Sequence, residues 1–155
     1  MTLELVPIRP DADVEALVAE LTAAYRGDAD TPRAIFTQTM ELLRHDPRPD
    51  PWGCYLARDD EPFVGTCAFK SAPTDVGMVE IAYATFPLYE DRGYATAMAG
   101  TLAQIAFDAG IPVVIAHTLP QENASGRVLR RNGFAFAGEV EDPEDGLVWR
   151  WEKRG

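Results

Sequence analysis

The chain has 155 residues and a mass of 17.0 kDa, with 46% hydrophobic and 10% aromatic residues. That composition excludes a disordered or repetitive chain and suits one folded core held without metal or disulfides. Twenty-five acids against fourteen bases leave a formal charge of −11 and a pI near 4.5, which argues against partners bound through phosphate neutralisation, whether nucleic acid or an anionic membrane.

Residues 3–9, LELVPIR, alternate apolar and polar positions and read as a first strand. Asp11 or Asp13 then caps a helix whose apolar positions Val14, Leu17, Val18, Leu21 and Ala24 follow the helical period. Gly27-Asp28-Ala29-Asp30 interrupts it, and Thr31 followed by Pro32 reads as the cap and first position of a second helix running to about Arg44. The proline-rich residues 45–51 form a loop.

Residues 52–59 and 62–70 make a hairpin about Asp59-Asp60-Glu61-Pro62. With Asp60 and Glu61 at the turn centre, Cys54 falls opposite Cys67, so the spacing predicts two neighbouring reduced thiols. They form neither a disulfide framework nor a metal-ligand pattern, and no metal is expected. A third strand, GMVEIAYATF (77–86), follows.

Residues 93–109 read as a helix with Met98, Leu102, Ile105, Ala106 and Ala109 on one face, stopped by Gly110. PVVIAHT (112–118) is a continuous apolar run, the signature of a strand buried on both faces. Asn123-Ala124-Ser125 caps a helix that ends at Asn132-Gly133, and residues 134–141 and 146–152 close the chain as a hairpin. Trp149 and Trp151 alternate with Val148, Arg150 and Glu152 and are expected to pack on a helix. The order β-α-α-β-β-β-α-β-α-β-β is that of a mixed α/β fold. No apolar run approaches the roughly 20 residues of a membrane span. The start, MTLELVPIRPDADVE, lacks a basic and apolar leader, so a cytoplasmic protein is expected.

The segment from Phe86 to Thr96, FPLYEDRGYAT, lies between a strand and a helix. Gly93 lets the backbone turn tightly there, and the free amides at the start of the helix sit at the positive end of its dipole, an arrangement that binds phosphate or pyrophosphate. It is neither a Walker loop nor a dinucleotide-binding turn, since no Gly-Lys-Ser/Thr and no G-x-G-x-x-G is present.

Glu90-Asp91-Arg92-Gly93-Tyr94-Ala95, followed about 30 residues later by Asn123 to Phe134 (NASGRVLRRNGF), resembles the two motifs of the GNAT superfamily of N-acetyltransferases, nearest the branch that includes ribosomal-protein alanine acetyltransferases. The resemblance spans essentially residues 1–155 and implies a single domain. It implies a mostly antiparallel sheet with helices on both faces and a splay between the fourth and fifth strands. It further implies acetyl-CoA as the acetyl donor, with pantetheine along Ala84, Thr85 and Phe86, pyrophosphate on Asp91, Arg92, Gly93, Tyr94, Ala95 and Thr96, and Asn123 near the pantetheine or thioester. Arg127, Arg130 and Arg131 are candidates for the adenosine 3′-phosphate. The acceptor would be a primary amine on a small molecule or a protein N-terminus, attacking directly in a ternary complex, and a homodimer through the closing strands is compatible. Glu90 departs from the Gln or Arg of the family loop, and Leu129 stands where many relatives carry a tyrosine as general acid.

An attacking amine must first be made neutral. Glu80, between Val79 and Ile81 in a central strand, is the candidate base. The alternative is a carboxylate that faces solvent or pairs with a basic side chain. His117, in the neighbouring strand, is the second candidate. The acidic turn Glu139 to Asp145 is expected to be a solvated turn, although in this family it borders the acceptor site. A non-catalytic acyl-CoA-binding module of the same fold is the competing function.

Overall fold

The computed structural model describes residues 3–155. Seven strands form one sheet in the order β1-β2-β3-β4-β5-β7-β6: β1 (Glu4–Pro7), β2 (Cys54–Arg58), β3 (Phe63–Phe69), β4 (Met78–Thr85), β5 (Val113–Thr118), β6 (Ala135–Asp142) and β7 (Gly146–Arg154). All neighbouring pairs are antiparallel except β4 and β5. Helices α1 (Val14–Leu21) and α2 (Asp30–His45) pack on one face, where Leu21, Phe36, Met40 and Leu43 bury against Leu56 and Phe86. Helices α3 (Tyr94–Asp108) and α4 (Ala124–Arg131) cover the other, where Met98, Leu102, Val128 and Leu129 meet Val79, Ile81, Val114 and Trp151. The element order and the two-sided cover match the sequence reading.

Two local expectations are corrected. A register shift between Ala57 and Arg58 moves the hairpin pairing by one residue, so that Cys54 pairs with Ala68 and Tyr55 with Cys67. Because side chains alternate across a strand, that single step sends the two thiols to opposite faces: Cys54 packs with the α1/α2 core and Cys67 with the α3/α4 core, both buried and free. At the start of α2 the N-cap position is Ala29, and the side chain that satisfies the first amides is that of Asp28, one residue before it, rather than Thr31. The Asp28 carboxylate accepts from the amides of Asp30 and Thr31 and from the Thr31 hydroxyl, and the helix begins at Asp30. Asp13, of the two candidates, caps α1 through the Ala16 amide.

Candidate active site

Two features meet on β4. Its pairing with β5 covers only Met78, Glu80 and the residue between, opposite Val113 to Ile115; beyond Glu80 the two strands separate, while β4 stays paired with β3 up to Thr85. This is the expected splay. Past Thr85 the chain makes a short 3-10 turn (Pro87–Tyr89), takes positive φ at Asp91 (62°) and Gly93 (85°), and enters α3 with no side-chain cap. The first amides of α3 therefore face outward without intrahelical partners. A side chain at residue 93 would pay the left-handed penalty, which glycine avoids.

A cavity of about 490 Å³ occupies the opening, lined by β4 (Tyr83 to Thr85), the loop and first turn of α3 (Glu90, Asp91, Gly93 to Thr96) and one face of α4 (Ala124, Ser125, Arg127, Val128, Arg131). Asn123 caps α4 by accepting from the Gly126 amide at 2.9 Å, and Tyr83 Oη lies 3.0 Å from Ser125 Oγ, bridging the gap. Asn132 Nδ2 donates to the Thr96 carbonyl at 3.0 Å, which ties the end of α4 to the first turn of α3. That close approach requires Gly100, where a Cβ would come within 2.8 Å of Asn132 Oδ1. Arg127 and Arg131, one turn apart on α4, consequently share the cavity wall, and neither makes an ion pair among the described residues. Arg130 points elsewhere: it is bidentate to Glu122 and lies over the Trp151 ring, 4.9 Å from its centroid.

The second feature is on the opposite face of β4, since Glu80 and Tyr83 are an odd number of residues apart. Glu80 Oε2 lies 3.4 Å from His117 Nδ1 and 3.4 Å from Lys70 Nζ. Asp142 Oδ1 is 3.8 Å from His117 Nδ1, and Asp145 Oδ2 is 3.7 Å from Lys70 Nζ. The side chains of Glu80 and His117 are only 18% and 11% exposed, and both ring nitrogens of His117 are buried without a hydrogen-bond partner among the described residues. Amides of Asp145 and Glu144 hold the Asp142 carboxyl below its usual range. Burial opposes the Lys70 ammonium, but the Glu80 and Asp145 carboxylates outweigh it and raise its pKa above the ordinary lysine value.

The structure thus brings Ala84, Thr85, Asp91, Gly93, Tyr94, Ala95, Thr96, Arg127 and Arg131 to one cavity, and Glu80 and His117 to one cluster behind it. Three expected residues lie outside the cavity lining. Phe86 is buried with the α1/α2 core and donates its amide to Val64; Arg92 stacks 5.6 Å from the Tyr89 ring centroid; Asn123 serves as the α4 cap. Ser125, Lys70 and Asp142 are site residues that the local sequence pattern does not mark, and Tyr83 joins Ser125 on the cavity wall. Odd spacing from Glu80 marks Tyr83 for the cavity face, but Lys70 and Asp142 arrive only through long-range register.

The sequence profile of the acetyltransferase (GNAT) domain matches residues 2–135. The chain belongs to the GNAT acetyltransferase family. Among solved structures, this GNAT chain superposes on the aminoglycoside acetyltransferase AAC(6')-Ib in complex with coenzyme A, with TM-score 0.74, 18% identity, and 99% of this chain and 95% of that one covered. It superposes on the microcin C7 self-immunity acetyltransferase MccE in complex with acetyl-CoA and AMP (TM-score 0.72, 14% identity, 98% and 92% covered). The ribosomal-protein-S5-alanine acetyltransferase from Vibrio fischeri gives TM-score 0.69 at 16% identity, with 99% and 93% covered. These likenesses establish the fold. Comparison with curated proteins gives no significant match. Among the described residues no group of His, Cys, Asp and Glu is arranged to hold a metal ion, and no helix is long and apolar enough to cross a membrane.

Proposed function

We propose that the cavity between β4, α3 and α4 seats acetyl-CoA, and that the acetyl group passes to a primary amine approaching from the Glu80 face of the sheet. The carrying observation is the continuity of three recognition elements along one cavity: a strand edge released from β5, the uncapped start of α3, and two arginines without ion pairs. The edge at Ala84 and Thr85 suits the pantetheine amides as an added strand. The amides from Gly93 to Thr96 suit the pyrophosphate, and Arg127 with Arg131 suits the 3′-phosphate.

Acetyl-CoA, when bound, supplies a thioester carbonyl open to attack by an amine. Glu80 takes the proton that turns the acceptor ammonium into a neutral amine, and His117 presents its Nδ1 to Glu80 and Asp142 alike. Leu129 is fully buried in the core and offers no proton to the departing thiolate. Tyr83 Oη, backed by Ser125, is an O–H on the cavity wall that can give one. The carboxylates of Asp142, Glu144 and Asp145 near Lys70 favour a cationic acceptor, either a small amine or a protein N-terminus.

Release of CoA thiol from acetyl-CoA over a panel of primary amines tests this reading. Release by the native chain that falls about a hundredfold or more in Glu80→Gln supports it. No release with any amine, alongside thermal stabilisation by CoA, leaves a non-catalytic acyl-CoA-binding module instead.

A further inference from the structure

Only two of the fourteen basic residues are lysines, Lys70 and Lys153; the other twelve are arginines. An arginine stays charged and is no nucleophile, whereas a lysine amine becomes one on losing a proton. One of the two lysines stands against the proposed base. Lys70 follows β3 directly, donates its backbone amide to the Glu80 carbonyl, and sets Nζ 3.4 Å from Glu80 Oε2 at the residue where β4 and β5 part. If Glu80 deprotonates an acceptor, Lys70 Nζ already occupies the place of the acceptor's nitrogen. Its side chain is only 33% exposed and is pinned from the other side by Asp145.

We infer that Lys70 is a self-acetylation site, the chain's own amine taking the acetyl group that Glu80 would otherwise direct to an external acceptor. The inference rests on the acetyl-CoA reading above. Glu80 removes one proton from the Lys70 ammonium. The neutral nitrogen bonds to the thioester carbonyl carbon, the carbon–sulfur bond breaks, and the second nitrogen proton goes to the departing thiolate. The products are an uncharged amide at Lys70, free CoA thiol and one proton released through Glu80. The amide no longer pairs with Glu80 or Asp145, so modification removes the cation that links the base to the β6–β7 turn. Without Glu80 to accept the proton, the Lys70 ammonium keeps Asp145 as its partner and is a poor target for chemical acylation.

Peptide mass spectrometry of the native chain after exposure to acetyl-CoA reads this directly, with Lys153 as the internal reference for plain chemical acylation. Lys153 carries its Nζ 5.8 Å from the Phe107 ring centroid, away from the cluster. The expected result is acetyl on Lys70 about a hundredfold faster than on Lys153, falling to the Lys153 rate in Glu80→Gln. With an N-hydroxysuccinimide acetate and no acetyl-CoA, the order is expected to reverse, because the paired Lys70 ammonium is the less reactive amine. Equal labelling of both lysines by acetyl-CoA, or Lys70 labelled faster by both reagents, overturns the inference. Thermal stabilisation by CoA, measured on the same sample, separates the failures. If CoA stabilises the chain and Lys70 stays unlabelled, self-acetylation falls and the donor seat stands. If CoA gives no stabilisation, the donor reading falls and self-acetylation falls with it.

Discussion

Glu80 Oε2 and His117 Nδ1 lie 3.4 Å apart across the point where two parallel strands separate, so a largely buried acid and a largely buried base share the mouth of the splay. The sheet itself creates that proximity: the strands pair through Glu80 and Ile115, and His117 is two residues further along the same face. Replacing Glu80 by Gln keeps the shape and removes the proton acceptor. The turnover number is expected to fall by roughly 10²–10⁴-fold. Affinity for CoA should stay unchanged, since Glu80 does not line the cavity. Steady-state kinetics with calorimetry separates the two; a matching loss of CoA affinity would contradict the assignment.

In the proposed seat for acetyl-CoA, Arg127 and Arg131 divide the recognition of the 3′-phosphate. Each single change to Gln is expected to weaken CoA by about tenfold to a hundredfold, the worth of one or two hydrogen bonds to a charged group. Dephospho-CoA, which lacks that phosphate, should bind native and variant chains alike. Equal losses for both ligands would place the arginines elsewhere on the donor.

Gly93, with φ of 85°, is the hinge between loop and helix. Ala at this position should cost about 1–2 kcal/mol of stability from the left-handed backbone. If the loop amides hold the pyrophosphate, affinity for CoA should fall further than a general destabilisation explains. Comparing the melting temperature with the CoA dissociation constant measured well below it distinguishes the two effects.

Burial raises the pKa of both thiols, Cys67 to about 12 from 9.0, and lifts the hydroxyls of Tyr25, Tyr55 and Tyr83. In each case the folded state favours the protonated form. For Cys67 that preference contributes fully below the unfolded value near pH 9 and is lost as pH rises from about 9 towards 12. The melting temperature should therefore decline through this alkaline window, less steeply in Cys67→Ala. At neutral pH neither thiol should react with a disulfide reagent until the chain unfolds. Rapid native-state labelling would contradict the buried placement.

Much of this architecture is legible from local chemistry. Alternation in residues 77–86, the glycine before α3 and the Asn123 cap locate β4, the loop and α4 because each rests on short-range periodicity or hydrogen bonding. What escapes is long-range or subtle. The irregularity between Ala57 and Arg58 has no sequence mark, yet it decides which face each cysteine takes. Asp28 outcompetes Thr31 in satisfying the first amides of α2 because its carboxylate reaches two amides and a hydroxyl at once. Lys70 and Asp142 meet at Glu80 and His117 from strand ends more than seventy residues apart in the chain, and composition reduced them to a strand end and a solvated turn.

We propose that one cavity, between β4, α3 and α4, holds the acetyl donor. Hydrogen–deuterium exchange on the native chain with and without CoA reads its occupancy. Slowed exchange is expected at residues 83–85, 93–96 and 124–131, with little change elsewhere. No protection, or protection centred on the smaller cavity beside Arg48 between Pro7 and Tyr55, would contradict it.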